Sequence, residues 1–206
     1  MVISYFGGGF LKIQVGDLIL AVDPIGKDST LKTSRFGADI VLVSLNHEDM
    51  NGVEQVTFGE KIPYVVRGPG EYETKEVFIK GFGSSSNYGG EARQNTIYAV
   101  QMEGINLCFL GGLDKTDLPA DVREALDEVD ILFTPVGGKG VLAASEADRL
   151  SVALEPKIII PILYDAGTLK MFLKETGAEG TAPIEKLVVK HKDLEGKEGE
   201  VAVLAS

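Results

Sequence analysis

The residues most able to do chemistry lie in "VLVSLNHEDMNGV", Val41 to Val53, where an apolar run opens into a loop that crowds His47 between Leu45 and the acids Glu48 and Asp49. An imidazole and a carboxylate two positions apart are donors for a divalent ion. Such an ion would lower the pKa of bound water from about 15.7 towards about 7 and supply a nucleophile. A lone pair of donors does not make a zinc site, because catalytic zinc takes at least three protein ligands and keeps one position open for water. His191, the only other histidine, lies far along the chain in "VVKHKD".

Other candidate groups carry simpler readings. Asp49 is also placed to cap a helix starting near Asn51. Asp23 in "VDP" suits a turn or a contact behind the site. Glu71 and Glu73 in "GPGEYE" suit a structural turn packed beneath it. Asp114 and Asp165, with Glu48 and Asp49, could form an oxygen-only site for Mg²⁺, Mn²⁺ or Ca²⁺. Solvated surface acids are the ordinary alternative in so acidic a chain. Ser84, Ser85 and Ser86 have no adjacent base and no nucleophile elbow. The glycines at Gly7 to Gly9 and in "VGGKG", Val136 to Gly140, lack phosphate-loop spacing and are read as turns. Cys108, the only cysteine, sits in "INLCFL" as a buried inert thiol and excludes both disulfides and thiolate zinc clusters.

These residues need elements to position them. "VISYF", "FLKIQV" and "LILAV" read as a three-stranded meander turning at Gly16-Asp17, and "DIVLVSL" as a buried strand leading to His47. Between them "DSTLKTSRFGA" is expected to hold a short helix capped by Asp28 or Ser29. "GPGEY" reads as turn punctuation and "FGSSSNYGGEARQ" as a polar loop over the site. "NTIYAVQM" and "INLCFL" form a hairpin around "EG". "TDLPADVREALDEV" and "ASEADRLSVALEP", the latter with Ser145 as cap, read as helices flanking the strand "DILFTPVGG". "KIIIPILY" is another strand, and "KLVVKHKDLEGKEGEVAVLAS" a terminal hairpin. Strand clusters mixed with strand-helix alternation indicate layered sheets covered by helices.

The order "YFGGGFLKIQVGDLILAVDP", "ADIVLVSLNHEDMNGVE", "VRGPGEYETKEVFIKGF", "NTIYAVQMEGINLCFLGGL", "VDILFTPVGG" and "EPKIIIPILY" resembles the small metal-dependent hydrolase branch of the metallo-β-lactamase superfamily. The likeness runs from Met1 to about Tyr164. It implies an α/β, four-layer αββα sandwich of two mixed sheets, a single domain over 1–206, with the metal site at one edge. In that family the loop after the fourth strand carries His-x-His-x-Asp-His. Here Leu45 stands for the first histidine, His47 and Asp49 match, and Met50 stands for the last. Ser86 falls in the stretch of the family's next histidine, Gly112 near its bridging aspartate, Leu163 at its late histidine and Gly8 at an upstream histidine. The resemblance leaves His47 and Asp49 as vestigial metal ligands, with Gly8, Leu45, Met50, Ser86, Gly112 and Leu163 lining the former site.

Two functions remain open at this point. One is a pseudoenzyme that uses the fold for binding or scaffolding, without cofactor; its small-molecule-binding form, using the former cleft, predicts an apolar pocket ringed by Leu45, Met50 and Leu163. The other is a hydrolase holding one Zn, Mn or Mg ion through His47 and Asp49. The composition narrows the partners. With 20 basic against 31 acidic residues the net charge is −11, which repels phosphate backbones and anionic lipid. No apolar run reaches the roughly 18 residues of a membrane span, and "MVISYF" is unlike a secretory signal. A cytoplasmic acidic protein is expected, with a small-molecule or protein partner, a possible homo-oligomer, and neither nucleic acid nor membrane.

Overall fold

The computed structural model describes all residues, Met1–Ser206. Strands β1 (Val2–Tyr5), β2 (Leu11–Val15) and β3 (Leu18–Val22) form the expected antiparallel meander, in which Ile3, Ile13 and Leu20 line up across the rungs. β4 (Ile40–Val43) and β5 (Tyr64–Arg67) add in parallel, and every β4 residue is buried because both faces are covered. The chain then passes through Gly68 and Pro69 into β6 (Gly70–Thr74), the edge of a second sheet. β7 (Val77–Ser86), β8 (Arg93–Met102) and β9 (Ile105–Phe109) continue it antiparallel. β10 (Ile131–Pro135) and β11 (Ile158–Ile162) complete its parallel half.

The inner faces of the two sheets interlock in a core that includes Ile3, Leu20, Leu42, Tyr98, Phe109 and Ile160, with Phe109 stacked on Phe133 at 4.4 Å. Each fully buried aliphatic side chain here contributes about 1.5–3 kcal/mol. The helices α1 (Ala120–Ala125), α2 (Ala144–Leu154) and α3 (Ala166–Glu175) place Val122, Leu150 and Phe172 against the outer face of the second sheet. The fourth layer, over the first sheet, has no α-helix. Coil and one 3-10 turn (Val53–Gln55) cover it, through Phe10, Ile25, Phe36 and Val56.

Several local expectations fail for identifiable reasons. The segment from Asp28 to Ala38 forms no helix: Ser29 Oγ takes the Leu31 N–H at 2.9 Å and Thr33 Oγ1 donates to the Ile25 carbonyl at 2.7 Å, bonds that compete with helical ones. Ser84 to Ser86 lie in β7, paired rung for rung with Asn95 to Arg93, so the polar loop shrinks to the turn beyond Asn87. "GPGEY" supplies β6 as well as a turn. α2 starts after Ala143 with Ser145 inside its first turn, and Glu146 Oε2 accepts the Ala143 N–H. α1 is shorter than expected, and α3, capped by Asp165, was not anticipated. The terminal hairpin does not exist: β12 (Leu187–Val188) pairs with β1, whereas β13 (Glu200–Val201) pairs with β11 in the other sheet. No helix is long and apolar enough to cross a membrane.

Candidate functional site

The loop after β4 is pinned from below. Gly26 N–H donates to the Glu48 carbonyl at 2.7 Å and Gly52 N–H to the Pro24 carbonyl at 2.8 Å. The two backbones approach so closely that a Cβ on Gly52 would lie 2.4 Å from Gly26 Cα, which explains glycine at both positions. The loop therefore holds its side chains in fixed places.

His47 Nδ1 accepts the Asp49 backbone N–H at 3.1 Å. Asp49 Oδ2 lies 3.5 Å from the same nitrogen. Tyr88 meets the imidazole edge-on at 4.9 Å, and a Cβ on Gly89 would lie 3.0 Å from Nε2. The turn after β7 thus covers the ring.

Both carboxylate oxygens of Asp49 are engaged: Oδ1 by the Ser29 hydroxyl, Oδ2 by the Tyr88 hydroxyl at 2.8 Å. Burial first, and then the Asp49 charge, push the Tyr88 phenol well above its usual range and keep it a donor. Asp49 caps no helix; it ties three segments together.

The other family positions carry no histidine, cysteine or carboxylate. Leu45 and Met50 belong to the inter-sheet core, and Leu45 bridges to Asn95. A Cβ on Gly112 would meet Ser86 Oγ at 3.0 Å and Leu45 Cδ2 at 3.5 Å, so these three residues do come together. Asn95 braces this place, accepting the Gly112 N–H at 2.8 Å while its amide donates to Leu110 O and Ser84 Oγ. Leu163 adopts φ 54 and donates its N–H to the Gly8 carbonyl at 2.8 Å, with Tyr5 Oη on the same carbonyl. Leu45, Met50 and Leu163, the residues expected to ring an apolar pocket, all belong to the inter-sheet core.

Behind the loop, Asp23 takes the Ser44 N–H and hydroxyl, each at 2.7 Å, and burial pushes its carboxyl up to about 7 against the restraining effect of those bonds. This is the supporting contact expected of it. The oxygen-only site does not assemble. Asp114 accepts from Ser85 at 2.5 Å, Asp165 caps α3 beside Lys139, and no three His, Cys, Asp or Glu side chains converge anywhere in the chain. Glu71 and Glu73 are exposed on β6, with Glu71 paired to Lys80, and not packed under the site. His191 is exposed in a single turn after β12. Cys108 is buried, and burial raises its thiol well above the usual range.

Ser29 acts here as a donor to Asp49 and not as the helix cap expected of it, and Tyr88 and Asn95 join the site through partners distant in sequence.

A family described as the beta-lactamase superfamily domain matches residues 2–163. The UPF0173 metal-dependent hydrolase of Lysinibacillus sphaericus (strain C3-41) is 28% identical, covering 80% of this chain and 86% of its own. A Thermotoga maritima structure described as a Zn-dependent hydrolase of the metallo-β-lactamase superfamily superposes with a TM-score of 0.75 at 26% identity, covering 98% of this chain and 97% of that one. A structure from Parabacteroides distasonis, described as a metal-dependent hydrolase, shares the fold with a TM-score of 0.67 at 18% identity, over 98% and 91% of the two chains. The chain therefore belongs to the metallo-β-lactamase superfamily and is related to its metal-dependent hydrolases.

Proposed function

We propose that this protein has kept the hydrolase fold but works by binding, as a small-molecule-binding or scaffold protein without zinc hydrolase activity. One observation carries the reading: no three His, Cys, Asp or Glu side chains converge in the fold, and His47 and Asp49, which accept hydrogen bonds from the Asp49 N–H, Ser29 and Tyr88, are the only family donor positions still occupied by such residues. The donor set does not fit zinc, which needs three protein ligands and an open position. Without a metal-activated water, nothing at this loop replaces the nucleophile.

Elemental analysis of protein purified without chelator tests the reading, alongside assays on phosphodiester, ester and lactone substrates. The expected result is substoichiometric metal, melting unchanged by chelator and turnover at background. A stoichiometric ion that disappears together with activity in His47→Ala would establish the single-ion hydrolase instead.

A further inference from the structure

Asn46 differs from its neighbours Leu45 and His47 in lining a separate cleft of about 670 Å³. The cleft lies at the corner where the chain crosses between the sheets. The end of β4, the Arg67-Gly68-Pro69 turn, and strands β7 and β8 form its walls. Its volume is within the range of small-molecule sites.

Its lining is unusual for this chain. Arg67 is the only charged residue among the 11 that line it, in a protein of net charge −11. None of the chain's ion pairs involves Arg67, so its guanidinium fork has no carboxylate of its own. The turn that carries it is held rigidly. Tyr98 Oη accepts the Gly68 N–H at 3.0 Å and donates to the Val43 carbonyl at 2.9 Å, and Tyr72 Oη donates to the Pro69 carbonyl at 3.1 Å. A preformed wall lowers the ordering cost of binding.

We infer that this cleft binds a small hydroxylated anion, with a phosphate or carboxylate group on Arg67 and its hydroxyls among Asn46, Ser84, Gln94 and Thr96. A guanidinium offers paired donors that match either anionic group. The amides and hydroxyls of Asn46, Ser84, Gln94 and Thr96 supply both donors and acceptors around it. The inference is independent of the metal question, since neither His47 nor Asp49 lines the cleft. Metal content reads one proposal and anion titration the other.

Calorimetric titration of the full chain with inorganic phosphate, glucose 6-phosphate, gluconate and glucose tests it. Glucose 6-phosphate or gluconate should bind, the stronger of them identifying the head group, inorganic phosphate more weakly, and neutral glucose not at all. Arg67→Gln should weaken anion binding by about tenfold or more, the loss expected for a charge-assisted hydrogen bond. Arg149→Gln, an exposed arginine on α2, should leave it unchanged. Gly83→Val narrows the cleft with the charge retained. A Cβ there makes only ordinary contact with Pro69, at 3.4 Å, so the variant should fold and still lose the hydroxylated ligands. Failure of every anion to bind, equal binding of glucose, or undiminished binding by Arg67→Gln would each overturn the proposal.

Discussion

The Tyr88 hydroxyl donates to Asp49 Oδ2 at 2.8 Å, joining the turn after β7 to the loop after β4 across a sequence separation of 39 residues. A carboxylate that holds two hydroxyls is a structural brace. Asp49→Ala should therefore destabilise metal-free protein by about 1.5–3 kcal/mol, and Tyr88→Phe by somewhat less, in urea denaturation. A ligand role without bracing predicts instead that Asp49→Ala alters stability only when metal is supplied.

Asp23 gives a pH signature of defined sign. Its carboxyl ionises at about 7 in the folded chain, against 3.8 as its ordinary value, so between those values the folded state holds a proton that the unfolded state has released. Its contribution to stability is complete below the lower value, declines as pH rises, and is gone above the higher one. The decline is at most about 1.4 kcal/mol per pH unit. Asp23→Asn carries no such proton and tolerates the residue's φ of 48, so the stability difference between variant and parent should change across this window and be flat above it.

Gly111 and Gly16 separate backbone strain from crowding. Both have positive φ, 58 and 55, but a Cβ on Gly16 meets nothing within 4 Å, whereas on Gly111 it would lie 2.5 Å from Ser44 Oγ and 2.6 Å from Asn95 Oδ1. Gly16→Ala should cost about 1–2 kcal/mol from the left-handed backbone alone. Gly111→Ala should cost about 1–3 kcal/mol more, by displacing the Ser44 and Asn95 bonds. Equal melting of the two variants would contradict the crowding.

The Cys108 thiol should be silent towards a disulfide reagent in native protein and react only as fast as the chain opens. Burial both blocks access and keeps it protonated. Rapid labelling without denaturant would show that the second sheet opens locally.

Much of the site was legible because side-chain chemistry is local. Leu45, Met50 and Leu163 cannot donate to zinc in any conformation, and the apolar runs of β4, β10 and β11 announce buried strands by composition alone. Other features depend on partners distant in sequence. Ser84 to Ser86 look like a loop until Arg93 to Asn95 supply the opposite rungs. Leu187 and Val201 look like the two arms of a hairpin until β1 and β11, in different sheets, each take one.

Periodicity, charge and donor atoms belong to residues and their spacing, so most strands along the chain, the acidic balance and the scarcity of histidine can be read before any folding. That Asp49 braces Ser29 and Tyr88, that Leu45 and Met50 fill the core, and that Arg67 lines a cleft holding no carboxylate becomes visible in the folded chain alone. Hydrogen bonds and packing act over a few ångströms, and the residues they join are brought within that range only when the two sheets close on each other.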